Sequence, residues 1–186
     1  ILVLKPLSSA EEVERTWFTQ GSLYLKDGRT TVNAGIGYRK LQFDKTLLLG
    51  VNAFYDHEFP HDHGRGSLGF EARSTVGELN INLYNSLSGW QNVGGGLEEK
   101  SVGGADVELG VPVPYMNWLQ VYLRAFKWNS EIDGVTVSKG RDLSLKADLP
   151  GGYFSGTSVE MGYRDYASQP NEKFITISYN FLADKP

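Results

Sequence analysis

Apolar and polar residues alternate through LLLGVNAFYDHEF, residues 47–59. Successive side chains of a β-strand point to opposite faces, so residues two apart share a face. One face holds Leu47, Leu49, Val51, Ala53 and Tyr55, and the other holds Gly50, Asn52 and Asp56. The pattern predicts a long strand with one apolar and one polar face.

Segments with the same period of two recur along the chain, separated by turn residues. The predicted strands number eleven: 1–7, 15–26, 29–41, 46–59, 64–76, 78–88, 104–113, 118–130, 137–149, 154–166 and 172–182. Most have at least the roughly 9–11 residues that a tilted strand needs to cross a bilayer. One segment, 8–15, has helical character and is predicted to be a short connector.

The composition argues against several classes of protein. A formal net charge of −4 disfavours nucleic acid as a partner, because phosphate binding requires clustered Lys and Arg. There is no cysteine, which excludes disulfides and thiolate metal sites. Apolar runs are too short for a transmembrane helix. Glycine is 22 of 186 residues and aromatic residues are 12%, a composition that favours an all-β chain.

The direction in which the apolar face points decides between two kinds of β protein. A soluble barrel or sandwich turns this face inward, whereas a membrane barrel turns it toward lipid. Short links near 75–79, 112–118 and 149–153 alternate with long polar links, as in outer-membrane barrels. Aromatic residues near the strand ends suggest the interfacial girdles of such a barrel: Trp17, Tyr55, Trp90, Tyr115, Trp118, Trp128 and Tyr166. The sequence therefore predicts an all-β, antiparallel outer-membrane β-barrel.

Four motifs carry a resemblance to a known family: NAGIGYRK (33–40), LLGVNAFYDHEF (48–59), GRGSLGFEAR (64–73) and LYNSLSGW (83–90). In order and spacing they resemble the transmembrane domain of intimin and invasin, the inverse autotransporters of Gram-negative bacteria. The similarity runs from about residue 15 to 182. It implies an outer-membrane barrel of twelve strands that anchors, and helps to export, a C-terminal adhesive passenger. The implied partners are outer-membrane lipid, the barrel-assembly machinery, periplasmic chaperones and the passenger itself.

The predicted barrel domain covers residues 1–182, and residues 183–186 begin a linker. The final alternation predicts a C-terminal barrel signal at Tyr179 and Phe181. Because eleven strands fall one short, a further strand is predicted to precede Ile1. If the short links are periplasmic, the last strand runs toward the periplasm. The linker must then pass back through the interior to reach the cell surface.

The polar face is expected to line a wet interior. The predicted lumen-lining residues are Arg39, Asn52, Asp56, Glu71, Arg73, Asp106, Glu108, Arg124, Lys146, Asp148, Glu160 and Arg164. Their charges are of mixed sign, and two interpretations stay open. The residues form hydrated ion pairs that stiffen the barrel, or, as the resemblance implies, they form a polar conduit for an extended polypeptide.

The histidines His57, His61 and His63 are the only candidates for metal binding, and they share the segment DHEFPHDH, 56–63, with three acidic residues. Imidazole and carboxylate are zinc ligands, but a long external loop is polar by default. We therefore predict no metal, cofactor or catalytic residue, and no enzyme. The alternatives are a standalone small pore or structural barrel without a passenger, an enzymatic outer-membrane barrel of the protease or lipase kind, and a soluble β-barrel that binds an apolar ligand. The enzymatic barrel needs a Ser/His or Asp/His group at its rim, and no serine is placed beside the histidines by sequence.

Overall fold

The computed structural model describes residues 1–9, 14–26, 28–129, 138–149 and 156–180. The strands are β1 (Leu2–Pro6), β2 (Arg15–Lys26), β3 (Arg29–Gln42), β4 (Leu47–Phe59), β5 (His63–Ser74), β6 (Gly77–Ser86), β7 (Gln91–Gly94), β8 (Leu97–Glu99), β9 (Gly104–Val113), β10 (Met116–Trp128), β11 (Ser138–Asp148), β12 (Thr157–Tyr166) and β13 (Glu172–Tyr179). Among these residues there is no helix long and apolar enough to cross a membrane.

Eleven strands form one antiparallel sheet in the order β1-β2-β3-β4-β5-β6-β9-β10-β11-β12-β13. Each strand pairs with the next one along the chain, and β9 follows β6 because β7 and β8 form a separate hairpin. The predicted all-β class and the eleven strands are confirmed. Within the described ranges β1 and β13 do not pair with each other, so the sheet is not closed there.

Two parts of the predicted organisation differ from the structure or fall outside it. Half of the predicted helical connector 8–15, residues 10–13, lies outside the described residues, and Arg15 already belongs to β2. The link 88–104 contains β7 and β8, which the sequence did not predict. They are only 4 and 3 residues long, which is too short to show a period of two. They meet at Gly94–Gly96, where the positive φ angles suit glycine.

The register places the two faces of each strand as the alternation predicted. Val51 pairs with Tyr38 and Phe70, and Asn52 pairs with Gly37 and Gly69. Each strand therefore continues the same two faces, one mainly apolar and one mainly polar. We call them the outward face and the polar face.

The exposure of apolar and charged side chains is the reverse of that in a soluble protein. Large apolar side chains of the outward face are exposed, with Ile175 73% and Leu68 64% accessible. On the polar face Glu71 and Asp106 are each only 4% accessible. An exposed apolar surface of this extent marks contact with another apolar phase. Each aliphatic side chain moved from water into lipid contributes about 1.5–3 kcal/mol, so the outward face fits a bilayer.

Aromatic rings fill the polar face above glycines of the neighbouring strand. The ring of Phe18 on β2 lies over Gly37 on β3, and the ring of Phe174 on β13 lies over Gly162 on β12. Phe54 and Phe126 lie in the same way over Gly35 and Gly140. A Cβ atom at any of these glycines would overlap the ring, so the absence of a side chain there allows the ring to lie flat on the sheet.

Two residues of the predicted aromatic girdle face inward instead. Trp128 pairs with Gly104 and Ser138 on the polar face, and its ring centroid is 5.0 Å from that of Tyr84. Tyr166 pairs with Gly140 on the same face. For these two residues the girdle prediction is wrong. The Trp128 ring uses the space above Gly104, and the Tyr166 ring packs edge-on against Phe126, with ring centroids 5.8 Å apart. Trp17, in contrast, faces outward beside Tyr38, with ring centroids 4.9 Å apart.

The packing of Phe18 on Gly37 predicts that Gly37→Ala destabilises the fold. The added methyl overlaps the ring and forces it off the sheet, at a cost of about 1–3 kcal/mol. Denaturant unfolding in detergent micelles measures this cost. Gly21→Ala is the matched control, because an added Cβ there meets its nearest atom, the Asn33 carbonyl oxygen, at 3.7 Å. Equal losses in the two variants would contradict the ring-over-glycine account.

Candidate functional site

The structure places all twelve predicted lumen residues on the polar face. The register shows this directly: Asp106 pairs with Asn82, Glu108 with Asn80 and Arg124, and Lys146 with Glu160. Since the described sheet is not closed, that this face lines a lumen stays a prediction. The side chains of the face form three connected groups.

The first group joins β3, β5, β6 and β10. The Arg39 Nε atom lies 2.6 Å from Glu71 Oε1, and Arg73 Nε lies 3.3 Å from Glu71 Oε2 and 3.4 Å from Glu78 Oε2. The Tyr122 hydroxyl donates to Glu78 Oε1 at 2.7 Å. Arg39 and Glu71 lie on strands that are not neighbours, and the Glu71 side chain passes over Gly50 on the strand between them. This is why β4 carries a glycine at that point.

The second group joins β6, β9, β10, β11 and β12. Arg124 Nη2 lies 2.6 Å from Asp106 Oδ2, and Arg124 Nη1 lies 3.7 Å from Asp142 Oδ2. Asp142 also accepts two hydrogen bonds from Arg164, at 2.7 and 2.8 Å. The Tyr84 hydroxyl donates to Asp106 at 3.1 Å. Each buried aspartate therefore faces at least one guanidinium, which offsets the cost of its burial.

The third group lies near the end of the face where β4 meets β5. Asn33 Nδ2 donates to Asp56 Oδ1 at 2.5 Å, and Arg65 donates to Asp56 Oδ2 at 3.0 and 2.7 Å. The Arg65 guanidinium carbon also lies 5.1 Å from the centroid of the Tyr84 ring, a cation–π contact. Since Tyr84 binds Asp106, the third group is continuous with the second.

Sequence reasoning missed several members of these groups, including Arg65, Glu78 and Asp142. Arg65 and Asp142 stand an even number of residues from the predicted members Arg73 and Lys146 of their own strands, so parity could have found them. Glu78 lies directly opposite Arg73 in the β5–β6 hairpin, so the pairing of the two strands could have found it. Among the described residues, the predicted members Lys146 and Asp148 form no ion pair, although Lys146 lies opposite Glu160. Glu108 and Glu160 accept hydrogen bonds from the neutral side chains of Asn80 and Ser144.

The three predicted metal candidates do not form one group, although the His61 and His63 ring centroids are 6.2 Å apart. His57 lies on the outward face, where its ring contacts the Tyr55 hydroxyl at 3.2 Å and Asp62 Oδ1 at 3.3 Å. His63 lies on the polar face, 7% accessible, with its Nε2 atom 3.7 Å from Glu99 Oε2. In the described part of the chain there is no group of three His, Cys, Asp or Glu residues that could hold a metal ion.

The β7–β8 hairpin is tied to the end of the polar face near His63. Arg29 on β3 lies 2.8 Å from Glu99 on β8 and 3.0 Å from Glu58 on β4. The Ser101 hydroxyl donates to the Gly64 carbonyl oxygen at 2.7 Å. The hydrogen bond from Arg29 lowers the pKa of the Glu99 carboxyl. The hairpin is therefore held by a charged contact at neutral pH that weakens once Glu99 is protonated at low pH.

A family model for the inverse autotransporter β-domain matches residues 1–148. The chain belongs to this family. The resemblance stated from the four sequence motifs is thus confirmed. The inverse autotransporter β-domain resides in the outer membrane of Gram-negative bacteria, which agrees with an apolar outward face. The family is one of adhesin-type translocator domains.

Individual relatives agree with this assignment. The chain is 33% identical over 82 residues to "Inverse autotransporter adhesin YeeJ" of Escherichia coli (strain K12), a match that covers 44% of this chain and 3% of YeeJ. It is 27% identical over 117 residues to "Invasin" of Yersinia enterocolitica, covering 62% of this chain and 14% of Invasin. The chain thus spans a small fraction of the length of these relatives.

A solved structure has the same fold at low sequence identity. It comes from work described as "Unveiling the Mechanism Behind the in-meso Crystallization of Membrane Proteins". The TM-score is 0.82 at 20% identity, with 96% of this chain and 74% of that chain covered. At this level of identity the likeness concerns the fold alone.

Proposed function

We propose that this inverse autotransporter β-domain anchors an adhesin in the outer membrane and gives its C-terminal passenger a path through the barrel interior. The observation that supports the path is the polar face, on which Arg39, Arg124 and Arg164 are each paired with a buried carboxylate. Because these charges are paired, the face presents hydrogen-bonding groups to a passing chain without strongly attracting side chains of either charge. An extended polypeptide can then move along it without being trapped.

The proposal assigns the twelve predicted residues, Arg39 to Arg164, to the lining of that path, and it gives the domain no catalytic role. It also orients the barrel. The links β5–β6 and β9–β10 are periplasmic, and the β4–β5 link, the β7–β8 hairpin and the link after β10 lie outside. β13 then ends on the periplasmic side, so a passenger must turn back and cross the interior. Barrel-assembly machinery and periplasmic chaperones are the partners expected before insertion.

Single cysteines test the orientation and the export separately, because the native sequence contains none. Asn129 and Tyr115 are exposed and flank the two ends of β10. With an impermeant maleimide on intact cells, Asn129→Cys should be labelled and Tyr115→Cys should be labelled only after the outer membrane is opened. A cysteine-bearing tag joined after Pro186 should be labelled on intact cells.

The three labelling positions distinguish different ways in which the proposal could be wrong. Labelling of Tyr115→Cys in place of Asn129→Cys on intact cells would reverse the orientation. Labelling of Asn129→Cys without the tag would keep the orientation and contradict export of the C-terminal segment. A protein that stays monodisperse in buffer without detergent would contradict the membrane placement itself.

A further inference from the structure

A group of basic side chains lies on the outward face where β10 ends and β11 begins. Lys127 on β10 stands directly opposite Lys139 on β11, and Arg141 follows two residues along β11, opposite Ala125. We call these three residues the cationic patch. All three side chains are exposed. None forms an ion pair or a side-chain hydrogen bond with a described residue, and Asp165, opposite Arg141 on β12, is the nearest acidic residue by register.

Without a bound counter-anion, the cationic patch destabilises the pairing of β10 with β11. Like charges directly opposite each other on antiparallel strands have Cβ atoms about 4.5–5.5 Å apart and destabilise the pair. On the polar face the structure places a carboxylate beside each of the comparable cations Arg39, Arg124 and Arg164. On the outward face no such partner is present for the Lys127–Lys139 pair among the described residues. A counter-anion from outside the chain would remove this repulsion.

The sign of charge on the outward face is biased. Its basic residues in the described strands are Lys5, Arg15, Lys40, Lys127, Lys139, Arg141 and Lys173. In those same strands Asp165 is its single acidic residue. The polar face, in contrast, mixes both signs. A surface that faces lipid and carries almost exclusively positive charge at its ends complements anionic headgroups.

The depth of the cationic patch fits a headgroup layer rather than the hydrocarbon. Leu123 and Leu143, which pair with each other, are exposed on the outward face, and the Lys127–Lys139 pair lies four residues further along β10. At about 3.4 Å per residue this is roughly 14 Å along the strand, and less along the membrane normal because strands tilt. In the proposed orientation this end of β10 is the outer end, and the outer leaflet there consists of phosphorylated glycolipid.

We propose that the cationic patch binds the phosphate groups of lipid A in the outer leaflet. This inference rests on the orientation given under the proposed function. Arg141 supplies a planar fork that can donate two parallel hydrogen bonds to one phosphate, and the two lysines supply compact charges beside it. The anion removes the repulsion between Lys127 and Lys139, so the bound lipid also stabilises the strand pair β10–β11.

The test compares lipid A bound to the wild type and to two triple variants of equal charge change. The first is Lys127→Gln/Lys139→Gln/Arg141→Gln, and the control is Lys5→Gln/Arg15→Gln/Lys40→Gln, which removes outward cations at the opposite end. Each protein is purified from outer membranes in mild detergent, and the lipid A retained per protein is measured by mass spectrometry. Titration with lipid A, dephosphorylated lipid A, phosphatidylglycerol and inorganic phosphate then gives the affinities.

The patch variant should retain little lipid A, while the control variant should retain as much as the wild type. The apparent Kd of the patch variant for lipid A should rise roughly 100-fold, because each of the three lost cations weakens binding about fivefold. Dephosphorylated lipid A, phosphatidylglycerol and inorganic phosphate should bind the wild type at least about tenfold more weakly. Equal retention by the patch variant, or loss in the control instead, would overturn the proposal, as would equal binding of phosphatidylglycerol. A wild type that does not fractionate with outer membranes would instead overturn the proposed function.

Discussion

Arg124→Met should destabilise the folded domain by about 3 kcal/mol, because it leaves a buried carboxylate without its cation. Asp106 is 4% accessible, and its Oδ2 atom lies 2.6 Å from the Arg124 guanidinium. Asn82 and Tyr84 still donate hydrogen bonds to Asp106 in the variant, but neither side chain is charged. Urea unfolding of the domain in lipid vesicles measures the loss.

A double substitution separates the lost pair from a general loss of packing. In Arg124→Met/Asp106→Asn the buried charge is absent, so part of the stability should return relative to Arg124→Met alone. The single variant Asp106→Asn completes the cycle, and a loss in the double variant equal to the sum of the two single losses would show that the pair is not coupled.

Leu123→Arg should destabilise the inserted domain by about 2–4 kcal/mol, the cost of an arginine on the lipid face near the bilayer midplane. Leu123 is exposed on the outward face and pairs with Leu109 and Leu143, so its neighbours are apolar on both sides. Among the described residues, no carboxylate lies directly opposite Leu123 or its two partners on that face. The same unfolding measurement in lipid vesicles applies.

Thr176→Arg is the control for Leu123→Arg, since it introduces the same side chain on the polar face opposite Glu160. It should cost much less, because the new guanidinium finds a carboxylate and a polar surface. If the two arginine variants unfold at the same urea concentration, the assignment of the faces is wrong. Folding yields of both variants in detergent should stay comparable, because the cost of Leu123→Arg arises from lipid.

Alternation in the sequence was sufficient to find the strands and to assign their faces. In β4 the apolar series from Leu47 to Tyr55 and the polar series through Asn52 and Asp56 lie on the faces predicted for them. The physical reason is local: the pleat of a strand sends residues two apart to the same side, whatever their partners are. The family motifs, which follow the order of the strands, were readable for the same reason.

The partners of the charged residues depend on contacts between strands that are distant in the sequence. Arg124 lies directly opposite Glu108 in the register, yet its guanidinium binds Asp106, two residues earlier on β9. Long side chains reach diagonal positions on a sheet as easily as direct ones, so sequence spacing does not choose between them. The contact of Arg39 with Glu71 across β4 depends likewise on the space above Gly50.

The inward direction of Trp128 and Tyr166 and the β7–β8 hairpin also required the structure. From its sequence position, a tryptophan at a strand end could belong either to a girdle or to the polar face. Trp128 lies on the polar face because Gly104 on β9 leaves space for its ring. The hairpin has too few residues to show a period, and it is held instead by contacts from Glu99 to Arg29, 70 residues apart in the chain. Local pattern determined the strands and faces of this protein, and long-range contacts between side chains determined how the polar face is paired and filled.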